Sequence, residues 1–139
     1  MEAAQTVNWD VYSDSRATLG GAFVRILGYF REDGIKSVAQ IEEAMRSKDA
    51  LRLILPSHTL KGASYQFGAE ALGDLAEEIE MTARRCVEHH DDPDELIGHV
   101  VRLRPLFEET LTQLEREASP LVERKPQGIG RRGFVEGVF

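Results

Sequence analysis

The sequence has a single cysteine, Cys86, in 139 residues. That excludes an intramolecular disulfide and any zinc site built from several thiolates, and it fits a reducing compartment. No window approaches the ~20 apolar residues of a membrane helix. The opening Met1-Glu2-Ala3-Ala4-Gln5 lacks the basic start and apolar run of a secretion signal. A cytoplasmic protein with no membrane contact is expected. Positive charge is also scarce, with 17 Lys and Arg against 24 Asp and Glu and a net charge of −7. Neutralising phosphates needs clustered cations in excess, so a nucleic-acid binder is excluded and a protein partner is favoured. Aromatic residues make up only 7% and there are five prolines. No alternating apolar stretch is bounded by hairpin signals, so strands are not expected.

What is present is helical periodicity, from Asn8 to Ser119. The spacing predicts a short first helix over 8–16. Thr18 is placed to cap a second, with Leu19, Phe23, Ile26, Leu27 and Phe30 on one face and Asp33-Gly34 as its end. Ile35, Val38, Ile41 and Met45 then predict a third helix stopping near Ser47-Lys48-Asp49. Asp49 caps a fourth over 50–66, in which Pro56 predicts a kink just before His58. Gly68 suits a left-handed C-cap. A fifth helix over 70–88 carries the stripe Leu72, Leu75, Ala76, Ile79, Ala83 and Cys86. A sixth follows Asp91-Asp92-Pro93-Asp94 with Leu96, Val100, Leu103, Phe107, Leu111 and Leu114, bent at Pro105.

The sequence thus predicts an all-α, antiparallel four-helix bundle with one or two extra short N-terminal helices, occupying residues 1–118. Residues 119–139 shift to Gly, Arg and scattered apolar side chains and read as a disordered tail. Four basic and two acidic residues there carry +2, which leaves −9 on residues 1–118.

The chemistry concentrates in His58-Thr59-Leu60-Lys61-Gly62-Ala63-Ser64. With about 100° per residue, His58, Lys61, Gly62 and Tyr65 share one helix face, while Leu60, Ala63 and Phe67 lie roughly opposite. His58 is therefore predicted to point outward. An imidazole with the ordinary pKa of about 6.5 is mostly neutral at pH 7 and can attack phosphorus. Lys61, one turn on, can stabilise an arriving phosphoryl group. Gly62 leaves room for another protein's backbone, at a cost of about 1 kcal/mol in helix propensity against alanine.

His-x-x-Lys-Gly-Ala-Ser, then Phe67-Gly68-Ala69, Leu72, Leu75 and Glu80, resembles the histidine-containing phosphotransfer (HPt) family in order and spacing. The likeness extends upstream to Trp9-Asp10 and covers about residues 8–117. It implies a phosphoryl carrier that takes the group on His58 from a receiver-domain aspartyl phosphate and passes it to another receiver, without ATP-dependent kinase activity. It implies that Glu80, on the next helix, orients the histidine. Helix geometry is compatible, since Glu80 lies about 80° from Leu72, at the flank of the buried stripe. A solvated Glu80, or one paired with Arg84 at i,i+4, is the alternative. Ile54, Ser57, Gly62 and Tyr65 are the expected partner contacts. The expected partners are receiver domains of response regulators or a hybrid histidine kinase, met by a monomer. No cofactor of its own is expected, since magnesium would belong to the receiver. Pro56 and Ser57 depart from the family pattern, and a non-phosphorylated adaptor using the same face is the competing function.

Two other patterns weigh less. Gly128-Ile129-Gly130-Arg131-Arg132-Gly133 has dinucleotide-loop spacing but too little sequence after it for the required helix. His89, His90, Asp91, Asp92, Glu95 and His99 are metal-ligand types without a metal-site motif, so no metal is expected. Phe134-Val135 and Val138-Phe139 read as a frayed end, with a docking peptide as the lesser alternative.

Overall fold

A computed structural model describes residues 6–118. The order is α1 (Trp9–Leu19), a single 3-10 turn (Gly20–Ala22), α2 (Phe23–Arg46), α3 (Ala50–Gln66), α4 (Glu70–His89), a second 3-10 turn (Asp94–Leu96) and α5 (Ile97–Ala118). No strand occurs among the described residues. Helices α2 to α5 form the antiparallel four-helix bundle, and cross-helix pairs fix their directions. Arg31 meets Glu115 and Arg104 meets Glu42, so α2 and α5 run opposite ways. His58 meets Glu80 while Tyr65 meets Asp74, which sets α3 against α4. Arg85 with Glu95, and Glu78 with His99, do the same for α4 and the start of α5.

Local signals place most of the ends. Asp49 Oδ1 accepts the Arg52 amide at 3.2 Å, capping α3. Asn8 Oδ1 accepts the amides of Asp10 and Val11, capping α1. Gly68 follows α3 with φ +77°, a conformation that glycine adopts without a Cβ penalty. There it also lets α1 come close: a Cβ at Gly68 would stand 2.4 Å from the Asn8 carbonyl oxygen. Asn8 completes the seam, its amide donating to the Gly68 carbonyl and its side chain to Glu70. Ser15 Oγ adds a hydrogen bond to the Gln66 carbonyl. The short N-terminal helix is thereby tied to the α3–α4 turn.

The structure corrects the expected break at Asp33-Gly34. Helix α2 runs unbroken for 24 residues. Gly34 is buried, and a Cβ there would lie 2.3 Å from Cε1 of Phe107 on α5. The glycine thus lets two helices approach. The buried face of α2 accordingly passes through Gly34, Ser37, Val38 and Ile41, while Ile35 is exposed. Thr18 lies inside α1 rather than capping α2, and Gly20–Ala22 makes the connection. Pro56 sits inside α3 and Pro105 inside α5, and both helices continue through them.

The core contains the residues that the helical stripes predict, among them Leu27, Phe30, Ile41, Leu60, Leu72, Ile79, Leu103 and Leu114. Through it runs a chain of aromatic contacts from Trp9 to Tyr12, Phe23, Phe67, Phe30 and Phe107, with ring centroids 5.0–5.8 Å apart. Such pairs contribute about 0.5–1.5 kcal/mol each beyond area burial. Tyr12 also donates its hydroxyl to the Leu114 carbonyl. Cys86 is buried on the α4 stripe, and burial pushes its thiol pKa up, so it packs as a small apolar side chain. The expected tail, with the Gly128–Gly133 spacing and the Phe134-Val135 and Val138-Phe139 pairs, lies outside the described residues.

Candidate functional site

The site lies across α3 and α4, the most extensively packed pair of helices. Along α3, positions 53, 57, 60 and 64 form the inner stripe, and Leu53, Ser57, Leu60 and Ser64 are all buried. His58 is one position off that stripe. Its side chain is 56% exposed at the α3–α4 boundary.

Glu80 reaches this boundary from α4 with only 3% of its side chain exposed. Its Oε2 lies 3.1 Å from His58 Nδ1. The other oxygen, Oε1, pairs with Lys61 Nζ at 2.8 Å. Arg84, one turn along α4, donates Nε and Nη2 to Oε2 at 3.0 and 2.8 Å. Burial acts to raise the Glu80 pKa, but Lys61, Arg84 and His58 together outweigh it and lower it to about 2. The carboxylate is therefore ionised near neutrality and can only accept hydrogen bonds, so the proton between it and the ring sits on His58 Nδ1. In the neutral ring this leaves the lone pair on Nε2, the nitrogen that does not contact Glu80. A neutral ring held this way is a positioned nitrogen nucleophile.

The remaining predicted residues divide. Lys61 and Gly62 lie beside His58, and a Cβ at Gly62 would meet nothing within 4 Å, so nothing inside the bundle requires glycine there. Tyr65 is half-buried: its ring fills the space above Gly73, where a Cβ would stand 2.4 Å from Tyr65 Cε1. Its hydroxyl donates to Asp74 Oδ1 at 2.6 Å. Burial first, then Asp74 and Glu77, raise its pKa well above the ordinary value. Ile54 is partly buried against the core. Ser57 is fully buried, which corrects its expected place among the partner contacts: the 53-57-60-64 stripe turns it inward.

Three neighbours of His58 escaped the sequence reading as site residues. Arg84 was visible only as an i,i+4 partner for Glu80, and the structure joins both roles in one carboxylate. Leu55 and Leu51, three and seven positions before His58, are 71% and 65% exposed. Their spacing puts them on the His58 face, an apolar surface that an amphipathic stripe search assigns to a core. The His89–Asp92 segment serves as the end of α4, with His90 at φ +58°, and Glu95 is engaged by Arg85. Among the described residues no group of three His, Cys, Asp or Glu side chains could hold a metal ion.

The site is thus a solvent-facing imidazole in contact with a buried carboxylate on the next helix of an antiparallel four-helix bundle. The model of the Hpt domain family matches residues 25–117, and the chain belongs to that family. That membership makes it a histidine phosphotransfer protein of the phosphorelay kind. The fold is also that of the crystal structure of histidine-containing phosphotransfer protein B (HptB) from Pseudomonas aeruginosa PAO1. The two share a TM-score of 0.70 and 21% sequence identity over 83% of this chain and 96% of that one. No curated protein matches the sequence. No helix among the described residues is long and apolar enough to cross a membrane.

Proposed function

We propose that His58 takes a phosphoryl group from the aspartyl phosphate of a receiver domain and returns it to the aspartate of another. The Nε2 lone pair forms the N–P bond as the acyl-phosphate P–O bond breaks, and the receiver's carboxylate leaves with both electrons. The Nδ1 proton stays in place, so the ring becomes a phosphorylated imidazolium whose new positive charge faces Glu80. The observation that carries this reading is the 3.1 Å contact between Glu80 Oε2 and His58 Nδ1. Lys61 adds positive charge beside the incoming phosphoryl oxygens, and the bare backbone at Gly62 allows close approach.

The partners are receiver domains of response regulators or of a hybrid histidine kinase, met in the cytoplasm by a monomer. Ile54, Leu55 and Leu51 on the same helix supply apolar contact area next to the nucleophile. Magnesium enters with the receiver domain. The test is incubation of the full chain with phosphorylated receiver domains, comparing wild type with His58→Gln. Acid-labile label on wild type and none on His58→Gln is expected. Label persisting on His58→Gln overturns the assignment. Stable binding of receivers without label on wild type supports the adaptor in its place.

A further inference from the structure

Glu80 has three rotatable side-chain bonds, and His58 alone offers it one hydrogen bond from an exposed ring. Something must hold the carboxylate in the one orientation that serves Nδ1. Lys61 acts on Oε1 from the same helix as His58. It draws the carboxylate toward α3 but leaves it free to swing about that point. Oε2, the oxygen that His58 uses, is held by two N–H groups of one planar guanidinium on α4. A fork of this kind fixes direction as well as distance, which a single ammonium does not.

We infer that Arg84 is a positioning residue for phosphoryl acceptance, acting through Glu80 Oε2 to keep the proton on His58 Nδ1 and the lone pair on Nε2. The inference rests on the carrier reading of His58. Free imidazole favours the opposite arrangement, with hydrogen on the ring nitrogen far from the side-chain stem, so the reactive tautomer has to be imposed. With Arg84 in place, Oε2 receives Nε at 3.0 Å, Nη2 at 2.8 Å and His58 Nδ1 at 3.1 Å. Without it, Glu80 can turn toward Lys61 alone, and the ring loses its preference. Half of the Arg84 side chain is exposed and its partner is one helical turn away.

The experiment uses the full chain with 15N-labelled histidine, at alkaline pH where the imidazole is neutral, together with the rate of phosphoryl acceptance from a phosphorylated receiver domain. Wild type should show the Nδ1–H tautomer at His58. Arg84→Gln should move a large share of the ring to Nε2–H and slow acceptance by about ten-fold, the scale on which such supporting partners act. It should remain folded, with the helical circular dichroism of wild type and a melting temperature lowered by several degrees, since the nearly buried Glu80 still keeps Lys61 as a cation. Arg84→Lys, which returns a charged donor, should recover part of both the tautomer and the rate. A wild-type tautomer spectrum in Arg84→Gln overturns the inference. A slower rate with an unchanged spectrum also overturns it, since the loss then lies in docking. Should wild type accept no phosphoryl group, the carrier reading falls, while the spectrum still decides whether Arg84 sets the ring.

Discussion

Glu80 Oε2 on α4 lies 3.1 Å from His58 Nδ1 on α3, so a carboxylate 22 residues away in sequence stands against one nitrogen of the ring and not the other. Replacing it by Glu80→Ala removes that acceptor and leaves the Lys61 and Arg84 cations facing an exposed imidazole. Phosphoryl acceptance should fall by about ten- to one hundred-fold. Quench-flow transfer from a phosphorylated receiver measures it. Unchanged transfer would contradict an orienting carboxylate.

The same carboxylate makes stability depend on pH in a defined window. Its pKa in the folded protein is about 2, below the ordinary 4.5, because Lys61, Arg84 and His58 prevail over burial. A group with a depressed folded pKa stabilises fully above its unfolded pKa and loses that stabilisation as pH falls through the folded one. Unfolding free energies from urea titrations should thus drop between about pH 5 and pH 2, by on the order of 2–3 kcal/mol from this group. Glu80→Gln should flatten that part of the curve. An equally steep fall in the variant would assign it to other acids.

Gly34 and Gly28 both interrupt α2 with hydrogen in place of a side chain, but only one of them meets a neighbour. A Cβ at 34 would lie 2.3 Å from Phe107, while one at 28 would meet nothing within 4 Å. Gly34→Ala should destabilise by about 1–3 kcal/mol through overpacking. Gly28→Ala should stabilise by up to about 1 kcal/mol through helix propensity. Chemical denaturation of the two single variants checks the pair, and equal effects would refute the packing account.

Gly62 separates folding from partner approach. Alanine there should leave the bundle as stable or raise it by up to about 1 kcal/mol. A bulkier Gly62→Gln should slow transfer from a receiver at least about ten-fold while its helical circular dichroism stays that of wild type. Full-speed transfer by Gly62→Gln would remove the case for close approach over this position.

Where one side chain decides a boundary, the sequence was sufficient. Asp49 started α3, Gly68 closed it, and the Leu72 to Cys86 stripe lay inward as its period required. His58 faced outward for the same reason. Gly34 misled because Asp-Gly is a local stop signal, whereas its actual role depends on Phe107, 73 residues later, which no local window contains. Ser57 misled because nearness in sequence to His58 counted for more than the 53-57-60-64 stripe that buries it. Arg84 and Glu80 were legible as an i,i+4 pair. That His58 and Lys61 share their carboxylate depends on how α3 and α4 are rotated against each other, a property of the packed bundle.

The aromatic chain that crosses the core ends at Trp9, the protein's single tryptophan, edge-on to Tyr12 with ring centroids 5.0 Å apart. Trp9 begins the helix that Asn8 fastens to the turn after α3, and His58 stands about two turns before the end of that helix. The molecule thus carries a built-in optical reporter at its sewn end. Detachment of α1 would register in tryptophan emission as a separate event from loss of helix in the bundle, without an introduced dye.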